Sequence, residues 1–165
     1  MTNKKIANGL GLLLGIFLVS GQALAFEGDA KRGRAVAATC TACHQADGSG
    51  MNIPGGESWP RLAGLDADYL AKQLHDFKAG RRQNATMAPF AKMLDDQQIA
   101  DVAAYYSQMP VTPAQGGDVD AELLARGEQL ALHGDWDKYI VPCKSCHGPG
   151  NQGAGSTFPG IASQH

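Results

Sequence analysis

The chain has 165 residues, with 14 Lys and Arg against 16 Asp and Glu, a formal net charge of −2. So mild an acidity gives no support to nucleic-acid binding, which calls for a clustered basic face. The length accommodates one ordinary domain or two small ones, and small domains commonly recruit a metal, disulfides or a cofactor as a staple.

Residues 1–25 open with Lys4 and Lys5, run apolar from Leu10 to Val19 and finish at Ala23-Leu24-Ala25. A basic start, a short apolar stretch and an A-x-A site predict a secretory signal peptide cleaved after Ala25. The rival is an uncleaved anchor. Crossing a bilayer takes about 20 apolar residues, and Gly21 and Gln22 interrupt this run. Cleavage leaves 12 basic against 16 acidic residues.

Residues 26–109 read as a first domain. "DAKRGRAVAATC" predicts a helix with Gly33 on its first turn, leading into Cys40-x-x-Cys43-His44. Further on, "WPRLAG" begins at Trp59. "DADYLAKQLHDFKAG" places Leu70, Leu74 and Phe77 at helical spacing, with Asp66 or Asp68 near the start and Gly80 past the end. "NATMAPFAKML" is expected to be a loop carrying Met87. "LDDQQIADVAAYYSQM" is a second long helix, capped by Asp95 with Gln98 returning the bond; Ile99, Val102, Ala103 and Tyr106 form its inward stripe. Strand signals are absent.

A Pro- and Gly-rich linker follows over 110–121. Residues 122–165 then repeat the opening of the first domain. "AELLARGEQLALHGDWDKYIVPC" parallels the first helix, with Gly127 for Gly33 and a nine-residue insertion containing Trp136 and Tyr139. Those two aromatics are expected to be packing residues, the alternative being contact with a cofactor or a partner. Cys143-x-x-Cys146-His147 follows, and "FPGIAS" at 158–163 matches "WPRLAG", with four fewer residues between motif and proline.

These 4 cysteines are all the chain has. Export suggests disulfides, but each pair is too close in sequence for a comfortable bridge. A redox Cys-x-x-Cys does not require the histidine that follows. Four thiolates could bind zinc, leaving both histidines unexplained. Covalent haem c accounts for all six residues. On a helical turn Cys40 and Cys43 face one side and can form thioethers to two vinyl groups, while His44 is held beneath the ring toward iron. Cys143, Cys146 and His147 repeat this, so two haems are expected.

A sixth ligand must come from elsewhere. Met87 is the candidate, a soft thioether that favours ferrous iron and raises the potential; Met93 competes, and core filling is the plain alternative. No methionine follows Met109. The second domain is therefore expected to be the N-terminal part of a longer one, the other reading being a second haem with an open side. His133 and His165 are the remaining ligand candidates there.

On these motifs the chain resembles the dihaem class I cytochromes c of the cytochrome c4 type. The resemblance rests on "CTACH", "WPRLAGLDADYLAKQLHDFKAG", "MAPFAKMLDDQQIADVAAYYS", "CKSCH" and "FPGIASQH". It implies an all-α fold of two tandem class I cytochrome c domains, the second incomplete in this chain. It further implies His/Met iron with Met87 in the axial position, and Pro60 and Pro159 carbonyls orienting His44 and His147.

The function implied is periplasmic electron transfer in a respiratory chain. The partners are other redox proteins such as a cytochrome reductase, a terminal oxidase or a dehydrogenase, with room for peripheral membrane association. The competing reading is a periplasmic redox enzyme or its cytochrome subunit, oxidising for example a sulfur compound. A third, a zinc-binding module, predicts colourless protein. Lys72, Lys78, Arg81 and Arg82, with His75 among them, could form a docking patch, though charges on a helix are usually a solvated face.

Overall fold

Asp29 starts the first helix. In the computed structural model, which describes residues 27–111 and 119–164, its carboxylate accepts from the Lys31 and Arg32 backbone N–H at 2.8 and 3.0 Å. That satisfies donors a helix N-terminus would otherwise leave open. Helix α1 (Ala30–Val36) runs through a 3-10 turn (Ala37–Thr39) into α2 (Thr41–His44). After a long loop comes α3 (Ala67–Lys78), whose cap is Asp66 and whose exit is Gly80 at φ +75°. Helix α4 (Met87–Met93) follows, and then α5 (Asp96–Ser107), which carries the predicted reciprocal cap between Asp95 and Gln98.

Helix α5 is the spine of this first copy. Ile99, Val102, Ala103 and Tyr106 are all buried, as their spacing predicts, and Leu70, Leu65 and Ala37 join them in the core. Burying an aliphatic side chain of that size contributes about 1.5–3 kcal/mol. Helices α1 and α3 pack against α5, and α4 packs against α3. The approach of α1 is close because residue 33 is glycine: a Cβ there would stand 2.0 Å from the Asp101 carbonyl oxygen.

An ion pair locks the same two helices. Arg32 Nε and Nη2 donate to the Asp101 carboxylate at 2.7 and 2.8 Å. The Asp29 backbone N–H and the Gln97 amide donate to it as well. Hydrogen bonds from Arg32 are the main reason that Asp101 ionises at about 2, against its ordinary 3.8. The carboxylate is buried, so losing it strands several donors at once.

The second copy opens with α6 (Ala121–His133), capped by Asp120. Gly127 lies in its second turn rather than the first, and a Cβ there meets no atom within 4 Å. The insertion then folds on itself. Asp135 and Ile140 exchange backbone hydrogen bonds of 2.8 and 2.9 Å around a 3-10 turn at Trp136–Lys138. Because this hairpin closes through its own backbone, its aromatic side chains stay outside. Trp136 is 67 % exposed and Tyr139 93 %, so the expectation that they pack into a core is wrong. Helix α7 (Lys144–His147) completes the second motif. Among the described residues there are isolated β-bridges but no strands, and no helix there is long and apolar enough to cross a membrane. Segment 1–25, expected to be a signal peptide, and most of the expected linker lie outside the described residues.

Two outcomes test this frame. Gly33→Ala overpacks the α1–α5 contact and lowers stability by about 1–3 kcal/mol in thermal or denaturant unfolding. Asp101→Ala costs about 1–3 kcal/mol at neutral pH. The folded carboxylate ionises more readily than the unfolded one, so its contribution is complete above the unfolded value, about pH 4. It is lost as pH falls toward about 2. Unfolding curves of wild type and variant should therefore converge on acidification; a constant gap would contradict the pairing.

Candidate functional site

The first motif is a single helical turn. Cys43 and His44 donate their backbone N–H to the Cys40 carbonyl at 3.2 and 2.9 Å, which turns Cys40, Cys43 and His44 toward one cavity. That cavity has a volume of about 380 Å³ and is also lined by Trp59, Pro60, Phe77, Arg82, Asn84, Met87 and Phe90. It adjoins a smaller space of about 100 Å³ that shares Cys40, His44, Met87 and Phe90 and is walled by Leu70, Leu74, Val102 and Tyr106. None of the four cysteines is joined to another in a disulfide.

His44 is 5 % exposed, and its Nδ1 lies 2.8 Å from the Pro60 carbonyl oxygen. A carbonyl only accepts, so Nδ1 carries the proton and Nε2 keeps its lone pair for a metal. Burial pushes the ring toward the neutral form, against the opposing pull of the Pro60 carbonyl. Burial likewise raises the Cys40 thiol. Tyr106 has a buried hydroxyl beside the Cys40 thiol, and burial is the main reason it holds its proton more tightly than usual.

The second motif repeats this arrangement atom for atom. Cys146 and His147 donate to the Cys143 carbonyl at 3.2 and 3.0 Å, and His147 Nδ1 lies 2.7 Å from the Pro159 carbonyl. The Gly50 N–H reaches the His44 carbonyl at 3.0 Å, and the Gly153 N–H reaches that of His147 at 2.8 Å. The Gly48 carbonyl accepts from Leu62 and Ala63, while the Asn151 carbonyl accepts from Ile161 and Ala162. Gly48 and Asn151 both adopt positive φ, at 68° and 56°. Phe158 stands edge-on to His147 with ring centroids 5.9 Å apart. The four-residue difference between motif and proline is absorbed by a shorter excursion between the bridges Met51–Trp59 and Ala154–Phe158.

Met87 lines both parts of the first cavity. It is the first residue of α4 rather than part of a loop, because Asn84 Oδ1 accepts the Met87 N–H at 2.8 Å and starts the helix there. Met93, the competitor, reaches only the smaller space and is 68 % exposed. His133 is exposed at the end of α6, and His165 lies outside the described residues.

The basic cluster on and just after α3 is partly paired with acids. Lys72 and Arg81 flank the Asp76 carboxylate, Lys78 reaches Asp96 at 3.0 Å, and His75 lies 3.9 Å from Asp96. Arg82 stacks over Phe77 and bonds Gln73. Among the described residues, no three His, Cys, Asp or Glu side chains converge as a metal site, so the cysteine pairs do not form the four-thiolate zinc centre. A flat, mainly apolar group with an iron at its centre suits the first cavity instead. Cysteine sulfurs stand on one wall, an imidazole and a thioether line it, and its adjoining space is walled by aliphatic side chains and Tyr106.

The fold and site define a c-type cytochrome, and comparison with known proteins agrees. The cytochrome c family profile matches residues 30–110. The thiosulfate dehydrogenase electron acceptor of Thiomonas intermedia is 44% identical over 128 residues, covering 78% of this chain and 58% of that protein. Cytochrome c4 of Thiocapsa roseopersicina is 42% identical over 142 residues, covering 84% and 69% respectively. The crystal structure of reduced recombinant cytochrome c4 from Pseudomonas stutzeri superposes with a TM-score of 0.71 at 35% identity, covering 84% of this chain and 74% of that one. The chain belongs to the dihaem cytochrome c4 family, all-α electron-transfer proteins with covalently bound haem c. It spans 58% of the length of the Thiomonas relative.

Two substitutions check the ligand reading. Met87→Ala should leave the first haem attached and shift its ferrous-to-ferric ratio at least tenfold toward ferric, about 59 mV for one electron. An unchanged potential in Met87→Ala, with the shift appearing in Met93→Ala, reverses the assignment. His44→Ala should abolish ordered folding of the first copy, since helices this short depend on the cofactor; a helical, haem-free variant by circular dichroism contradicts it.

Proposed function

We propose that the chain is a periplasmic dihaem electron carrier, with a signal peptide at 1–25 and domains at 26–109 and 122–165 joined by a linker over 110–121. Cys40 and Cys43 anchor the first haem c, and Cys143 and Cys146 the second. His44 and His147 would hold the irons, with Met87 as a further ligand to the first. Iron held there would supply one-electron chemistry between its ferric and ferrous states. The protein's part is to hold that iron rigidly: each imidazole is clamped by a proline carbonyl, and the space adjoining the first cavity has mainly apolar walls. The observation that carries this reading is the repeated pairing of a Cys-x-x-Cys-His turn with a carbonyl-locked histidine, at 2.8 and 2.7 Å.

Its redox partners are other proteins. A thiosulfate-oxidising enzyme is the first donor to test, because the 44% identical relative bears the name thiosulfate dehydrogenase electron acceptor. A respiratory reductase or oxidase would occupy the other side of the shuttle.

Intact mass of the purified protein should exceed that of the processed peptide by two haem groups, and a bare peptide mass overturns the assignment. Thiosulfate with its dehydrogenase should then reduce the haems within the mixing time of a stopped-flow experiment. Haem-loaded protein that stays oxidised removes that donor.

A further inference from the structure

The two copies meet each other through the segment that follows each proline. When Trp59 is matched with Phe158, Arg61 corresponds to Gly160 and Leu65 to Gln164. The contact is reciprocal. Arg61 faces Gln164, and a Cβ on Gly160 would lie 3.1 Å from Leu65 Cδ2. Such self-complementary meetings are the mark of a two-fold arrangement, here between two copies within one chain. One half of the contact is polar and the other apolar.

The polar half grips a particular peptide. Gln164 Oε1 accepts the Arg61 backbone N–H at 3.1 Å, and Gln164 Nε2 donates to the Arg61 carbonyl at 3.2 Å. Arg61 is 1 % exposed, and its Nε donates to the Ser163 carbonyl at 2.7 Å. The gripped N–H belongs to the Pro60–Arg61 peptide, whose carbonyl holds His44 Nδ1 at 2.8 Å. One peptide thus links a carboxamide of the second copy to the imidazole of the first. Hydrogen bonds in such a chain polarise one another, by roughly 10–30% per bond. An acceptor on the N–H makes the carbonyl a better acceptor, and a stronger bond at Nδ1 makes the imidazole a more basic ligand.

We propose that Gln164 is a positioning residue for the first iron, supplied by the second copy, which lowers that iron's potential through the Arg61 N–H, the Pro60 carbonyl and His44. The proposal rests on His44 being an axial ligand. The second site lacks the device, since Leu65 stands where a carboxamide would have to be.

Gln164→Leu tests it, because it copies the apolar half of the contact without changing charge. Potentials are measured in the full-length dihaem protein, the first step being assigned by the altered ligation of a Met87→Ala variant. The expected result is a rise at the first site, about threefold in the ferrous-to-ferric ratio or roughly 28 mV for one electron, with the second site unmoved. A lowered thermal midpoint with both potentials unchanged, or an equal shift at both sites, overturns the proposal. Haem count by intact mass and the His44→Ala variant test the ligand assignment separately, so a failure there is distinguishable.

Discussion

A proline carbonyl bonded to Nδ1 of a histidine leaves that ring one way to face. The proton is committed to the carbonyl, so the other nitrogen must present its lone pair, and the ring plane is set by the loop that carries the proline. Both copies of this chain are built around that bond. The helical turn places the cysteines beside the ring, and the loop returns 16 residues later in one case and 12 in the other to supply the carbonyl. The positive-φ turns at Gly48 and Asn151 aim the returning strand so that one carbonyl accepts two successive amides.

Rigidity in the first copy comes from helices that serve the site only indirectly. Helix α5 supplies Val102 and Tyr106 to the cavity wall and, on its opposite side, the Asp101 carboxylate that binds α1. Helix α1 in turn leads through one 3-10 turn to Cys40. A buried carboxylate is costly unless its oxygens are hydrogen-bonded, and Asp101 meets that condition with bonds from Arg32, Asp29 and Gln97. The anchoring turn is therefore held at one end by packing and at the other by the histidine clamp. Electron transfer asks for this kind of rigidity, since a site that moves little between oxidation states reorganises little.

Much of this is legible in the residue order. The haem motif is contained in five consecutive residues, and the caps at Asp66 and Asp95 act within one turn of helix. The inward stripe of α5 follows from its spacing alone. Other features are not local. Trp136 and Tyr139 look like core residues by type, yet the hairpin that carries them closes on its own backbone and leaves both in solvent. Met87 is expected in a loop, but Pro89 falls in the first turn of a helix, where a proline loses nothing, and Asn84 starts that turn. The basic residues on and after α3 form a patch in sequence, and only the folded structure shows which of them pair with Asp76 and Asp96.

Spacing along the chain was enough to establish the cofactor class, the helical character and the repeat, because each depends on contacts within a few residues. It could not establish which parts of the two copies touch. Arg61 and Gln164 are 103 positions apart, and nothing in either neighbourhood announces the other. Their bond exists because two similar loops were brought face to face by the folding of everything between them. Long-range pairs of this kind are decided by the summed packing of the whole chain, and so they are visible only in three dimensions.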